Sequence, residues 1–212
     1  IGLVELVNCE SKPSGNVQTS SQGAQSDSGK EYRIRYEGLA AFKGHRLAGY
    51  MDGIEARAYN FVTNNLKSAY ITILSGEGMT VVRVGKSNAD IKTAFDGKQV
   101  TLDVKIKAEM NIIQQSGRED ITKAGPLKTV EDRFNRQTEQ EITAAVRKAQ
   151  REFQSDIFGF GVAVHMQHPE KWKTIKRDWD DYFAKAAVNV TVESSATRSG
   201  EIKEPFAMED PP

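Results

Sequence analysis

His165 and His168 stand three positions apart, just after Gly159-Phe160-Gly161 and just before Pro169. Two imidazoles at that separation are compatible with a shared metal. A zinc site needs more ligands, however, and the chain has no HExxH, no cysteine pair and no third ligand at helical spacing to either histidine. A histidine before a proline that opens a helix reads instead as a cap or loop residue. Gly85-Lys86-Ser87 matches the second half of a phosphate-binding loop, but the first glycine would fall at Thr80, and no helix follows to aim its N-terminus at phosphate. Gly159-Phe160-Gly161 lacks the third glycine of a dinucleotide fingerprint and follows a helix rather than a strand. With one cysteine, three histidines and no GxSxG, nucleophilic catalysis lacks its usual parts. The carboxylate pairs Glu139-Glu141 and Asp180-Asp181 lie on helix faces that read as solvated surface. No catalytic residue, cofactor site or metal site is expected, and an enzyme with an unfamiliar site is the remote alternative.

The elements that must position these residues follow from hydrophobic period. A long helix is predicted from a Thr129 cap to about Gln154, with Val130, Phe134, Ile142, Val146, Ala149 and Phe153 in one stripe, after a loop closed by Gly125-Pro126. A second helix starts at Pro169 and carries Trp172, Ile175, Trp179 and Phe183 at spacings of three and four. Between them, the two glycines release the chain, and the apolar FGVAV stretch crosses the core as a joint. The tryptophans are expected to fill the interior.

Upstream, Tyr32–Phe42 and Arg46–Met51 read as strands joined by a Lys43-Gly44-His45 turn. Asp52 and Glu55 have capping-box spacing, and the helix they open should bury Ile54, Ala58, Phe61 and Val62. YITIL and TVVRV are strands around Gly76-Glu77-Gly78, and Asp96-Gly97 marks a hairpin over residues 91–112. Val100, Leu102, Val104, Ile106, Ala108, Met110 and Ile112 alternate with polar residues, which predicts a sheet with one buried face. Val188, Val190 and Val192 give a last strand. The fold class expected is α+β, a mostly antiparallel or mixed sheet packed against one long and several shorter helices.

At 212 residues and 38% hydrophobic content the chain supports a real core. Twenty-nine basic side chains balance 29 acidic ones, which argues against nucleic acid as a partner. Residues 11–30 hold six serines, three glycines and no large hydrophobe but Val17, the composition of a flexible linker. The domains expected are therefore residues 1–30 as the remnant of a preceding segment plus linker, 31–203 as the compact domain and 204–212 as a disordered tail. Within the first, GLVELV reads either as a helix end or as a strand. The start at Ile1 suggests a fragment or a processed product, and the lone Cys9, preceded by only eight residues that Glu5 interrupts, is not expected to carry lipid.

KAQREFQSDIFGFGVAVHMQHPEKWKTIKRDWDDYF, residues 148–183, resembles the C-terminal signature of the Ger(x)C spore-germination lipoproteins: a glutamine-bearing helix end, a DIFGFG turn, then P-x-x-W and W-x-x-x-F. The likeness continues into VNVTVESSATRSG. A second block, EGLAAFKGHRLAGYMDGIEARAYNFV over residues 37–62, resembles the family's G-L-A-x-F, L-x-G and E motif. The resemblance makes Gly38, Leu39, Phe42, Leu47, Gly49 and Glu55 motif positions of one block. Gln150, Asp156, Gly159, Gly161, Pro169, Trp172, Trp179 and Phe183 are those of the other, each structural or interacting.

It also implies the C subunit of a nutrient germinant receptor, which is non-enzymatic. Such a subunit is lipid-anchored at the outer face of the inner spore membrane and works with two integral-membrane partners, an A-type and a B-type subunit. Its anchor and N-terminal domain would lie outside this fragment. A single acyl chain anchors only marginally, so partner contacts should help hold such a protein. The implied role is receptor assembly or signalling, and the alternative is a module that binds a small nutrient germinant itself, in a cleft near Gly159–His168.

Overall fold

The computed structural model describes residues 2–11, 32–75, 78–96, 99–116 and 123–198. It forms two sheets and a helical layer. Strands β1 (Gly2–Ser11), β2 (Tyr32–Lys43) and β3 (Arg46–Met51) make a three-stranded antiparallel sheet in that order. GLVELV is therefore strand, paired along β2 from Gly2↔Phe42 to Ser11↔Tyr32. Strands β4 (Ala69–Ser75), β5 (Gly78–Phe95), β6 (Val100–Gln115) and β7 (Ala187–Arg198) make a second, mixed sheet, antiparallel except for the β6–β7 pair. A parallel pair needs a long crossover, and here it contains most of the helices: α2 (Ala124–Lys148), α3 (Phe160–Gln167), α4 (Pro169–Ile175) and α5 (Trp179–Lys185). Helix α1 (Gly53–Val62) links the two sheets. The chain is thus α+β, as its pattern predicts, and among the described residues no helix is long and apolar enough to cross a membrane.

The core forms where two periods meet. Every second residue of β6 from Val100 to Ile112 is buried. On α2 and the π-helical turn that extends it over Ala149–Phe153, Val130, Phe134, Ile142, Val146, Ala149 and Phe153 are buried as well. Asp52 caps α1, accepting from the amides of Ile54 and Glu55, while Glu55 accepts from the Asp52 amide, so the expected capping box is complete.

Five local expectations are corrected. TVVRV and IKTAF are one strand, β5, bulged between Val84 and Lys86, so Gly85-Lys86-Ser87 lies within a β-ladder and cannot wrap a phosphate. Gly125 and Pro126 belong to the first turn of α2 instead of closing a loop, because that turn has no use for the missing proline N–H. Thr129 sits inside the helix and donates its hydroxyl to the Gly125 carbonyl at 3.2 Å. Ile54 is 51% exposed and leaves the buried face of α1 to Ala58, Phe61 and Val62. The helix expected from Pro169 onward is broken by a 3-10 turn, Lys176–Asp178, which separates α4 from α5. Of the predicted turns, Gly76, Glu77 and Gly97 lie outside the described residues, as do all of the expected linker except Ser11, which ends β1, and the whole of the expected tail.

Glu139 and Glu141 are not free surface. Glu139 accepts the Val192 amide at 2.9 Å and Glu131 accepts the Ala196 amide at 2.9 Å, so two side chains of α2 stand in for the strand that β7 lacks on its outer side. Glu141 pairs with Arg57 of α1 at 2.7 Å, both side chains mostly buried. Glu139→Ala should cost about 1 kcal/mol and speed amide exchange at Val192, whereas Glu139→Gln, which keeps the acceptor, should retain most of the protection. Unchanged exchange at Val192 in the alanine variant would refute the seal.

Candidate functional site

The DIFGFG turn is built around one carboxylate. The long helix ends through the π-helical turn and Gln154, which adopts a left-handed conformation (φ 47°). The chain then drops Asp156 into the interior, where it is 4% exposed. One oxygen of Asp156, Oδ1, accepts the amides of Gly159 (3.0 Å) and Phe160 (3.1 Å). The other, Oδ2, accepts the Gly161 amide (2.6 Å) and the indole N–H of Trp179 (3.0 Å). Three successive amides at the start of α3 are thereby satisfied by a residue upstream of the helix, which is why FGVAV forms a helix and not an extended crossing of the core. Phe160, Gly161 and Val164 of that helix are buried.

Burial pushes the Asp156 carboxyl above its ordinary value of 3.8, and the four N–H donors pull it back down without overcoming the burial. A raised folded value means that Asp156 contributes most below its unfolded value and that this contribution is lost as pH rises through the folded one. The stability advantage of the native chain over Asp156→Asn should therefore narrow over that rise and then level. An advantage that widened instead would show that the donors govern the titration.

Aromatic rings surround this node. Trp172 meets Trp179 edge-on at 5.4 Å, Trp179 lies 6.4 Å from Phe183, and Phe183 lies 6.0 Å from Phe160. Gly161 has no room for a side chain, since a Cβ there would stand 2.8 Å from the Trp179 ring nitrogen and 3.0 Å from Trp172. Gly159 adopts φ 82°, which a glycine tolerates without strain. Gln150 donates to the carbonyls of Phe183 (2.8 Å) and Ala186 (3.0 Å), closing the end of α5, and Pro169 opens α4. Trp179 and Phe183 are buried and Trp172 is half-buried.

The two motif blocks meet in space. Gly49 of β3 lies against Phe153, with a hypothetical Cβ only 2.5 Å from the ring. Glu55 binds Lys148 at 2.7 Å, and Lys43 reaches the Gln154 carbonyl at 2.8 Å and Asp180 at 2.7 Å. Gly38 passes so close to the Met51 carbonyl that a Cβ would lie 1.9 Å from the oxygen. Leu39 and Phe42 are half-buried, while Leu47 is 47% exposed on the edge strand β3. The histidines diverge: His165 stacks on Trp172, whereas the His168 ring bonds the Thr93 carbonyl at 2.8 Å. Among the described residues no group of three metal-ligating side chains forms. Lys148 and Lys43 tie the two blocks together, and Arg57 ties the first block to Glu141 of α2; these pairings were not legible, because a lysine or arginine on a helix or turn gives no sign of its distant carboxylate.

This architecture is an α+β domain also seen in the crystal structure of the GerBC protein, with a TM-score of 0.70 and 16% identity, covering 77% of this chain and 52% of that one. The chain belongs to the family described as "Spore germination B3/ GerAC like, C-terminal", whose model matches residues 37–200. Its relatives include spore germination protein YndF of Bacillus subtilis (strain 168), 20% identical over 174 residues, and spore germination protein B3 of the same organism, 20% identical over 166. These matches cover 80% and 77% of this chain but 43% and 44% of the relatives, so the chain spans less than half of their length.

Proposed function

We propose that this is a non-enzymatic domain of a C-type germinant receptor subunit, acting in receptor assembly or signalling during spore germination. The observation that supports this reading best is the use made of Asp156: the one deeply buried carboxylate of the motif spends all its acceptor capacity on four N–H groups of its own fold. A catalytic carboxylate needs a face open to substrate, and this one has none. We further propose the division into residues 1–30, 31–203 and 204–212 given above, the first lending β1 to the three-stranded sheet of the second, with the motif positions serving structure and contact. In the full-length protein a lipid anchor would hold the domain at the outer face of the inner spore membrane, beside two integral-membrane subunits.

The contact surface we favour is α3, where Val162 and Met166, one turn apart, are 62% and 79% exposed beside the locked node. Photocrosslinking from position 166 in spores should capture a membrane subunit, and deletion of the domain should lower both the nutrient response and the partner subunits' levels. Normal response with normal levels would end the proposal. The second reading, direct binding of a nutrient near Gly159–His168, is disfavoured by the packing of Phe160, Gly161 and Val164, and calorimetry against amino acids and sugars separates the two.

A further inference from the structure

We propose that the outer edge of β4 and the neighbouring flank of α2 form a groove for an extended acidic segment of a partner protein, which joins the four-stranded sheet as an added strand. This stands independently of the receptor reading. The two edges of that sheet are finished differently. At β7 two glutamates of α2 take up the amides of Val192 and Ala196. At β4 the ladder geometry leaves backbone groups facing out: the Met79 amide and carbonyl both bond Ser116, away from β4, so Leu74↔Met79 is a non-hydrogen-bonded pair. By alternation, Tyr70, Thr72 and Leu74 direct their N–H and C=O groups away from β5.

Alongside lies a cleft of about 440 Å³ between residues 72–74 and α2, into which Arg133 and Arg136 project. Neither arginine makes an ion pair among the described residues, although Arg57, Lys128 and Lys148 of the same layer all do. Tyr70 and Leu74, 64% and 75% exposed, add apolar surface to the edge. An open, apolar strand edge is a site for strand addition, in which main-chain bonds give affinity and side chains give selectivity. The two guanidinium groups beside it select carboxylates. A second copy docking through the same edge would bring the arginines of both copies together, which argues for an acidic partner and against self-association.

A fluorescein-labelled octapeptide alternating glutamate and valine, titrated against the 212-residue chain and followed by anisotropy, tests this. Saturable binding is expected, weakened about tenfold by R133E/R136E, as two exposed ion pairs imply. Binding should also weaken when alternate peptide amides are N-methylated, and a lysine-valine counterpart should bind far more weakly. Absence of saturable binding, equal binding by R133E/R136E of unchanged circular dichroism, or indifference to N-methylation would each overturn the proposal.

Discussion

Asp156→Ala should lower the stability of the domain by about 4 kcal/mol, since it leaves buried N–H groups without an acceptor. In a domain of this size that is a fall in Tm of roughly 10 °C. Four donors lose their partner at once: the amides of Gly159, Phe160 and Gly161 and the indole of Trp179. Asp156→Asn is the sharper variant, because shape is kept while one oxygen becomes an NH₂ that must face two donors. About half the alanine effect is expected. Urea unfolding followed by tryptophan fluorescence measures both. Loss of less than about 1 kcal/mol in the alanine variant would show that water replaces the carboxylate freely and that the turn is not held from inside.

Gly38→Ala should cost about 3 kcal/mol or more, for a reason unrelated to charge. A Cβ there would lie 1.9 Å from the Met51 carbonyl oxygen and 3.2 Å from the Asp52 Cα. The neighbour is backbone, so no rotamer relieves the overlap. The strand must move at the point where Met51 is buried and Asp52 caps α1. Gly53→Ala is the control, since a Cβ at that helix start meets nothing within 4 Å and should be neutral or slightly stabilising. Equal unfolding midpoints for the two variants would contradict the close approach.

What the sequence made legible follows physical range. Period-two and period-four patterns are local, and they identified the buried rows of β6 and α2. The capping box was readable because Asp52 and Glu55 are three residues apart. The lock at Asp156 was visible only as a motif position, for its partner Trp179 is 23 residues away and the intervening helix is aimed by that bond. The same limit explains Glu139, which resembles any solvated helix glutamate until β7 is laid beside it. The break at Lys176–Asp178 was hidden for a related reason: the tryptophan spacing satisfies a continuous helix, and the turn exists because Trp179 must meet both Trp172 and Asp156.

A double-mutant cycle between Asp156→Asn and Trp179→Phe probes most directly whether the motif is an internal lock. Trp179→Phe removes the indole donor and leaves an aromatic ring in place, so with Asp156→Asn it isolates the bond between the DIFGFG turn and α5. Urea denaturation of the four proteins should give a coupling of about 1–2 kcal/mol. Strictly additive losses would mean that turn and helix are held separately, and that the carboxylate is buried for some purpose other than fixing this shape.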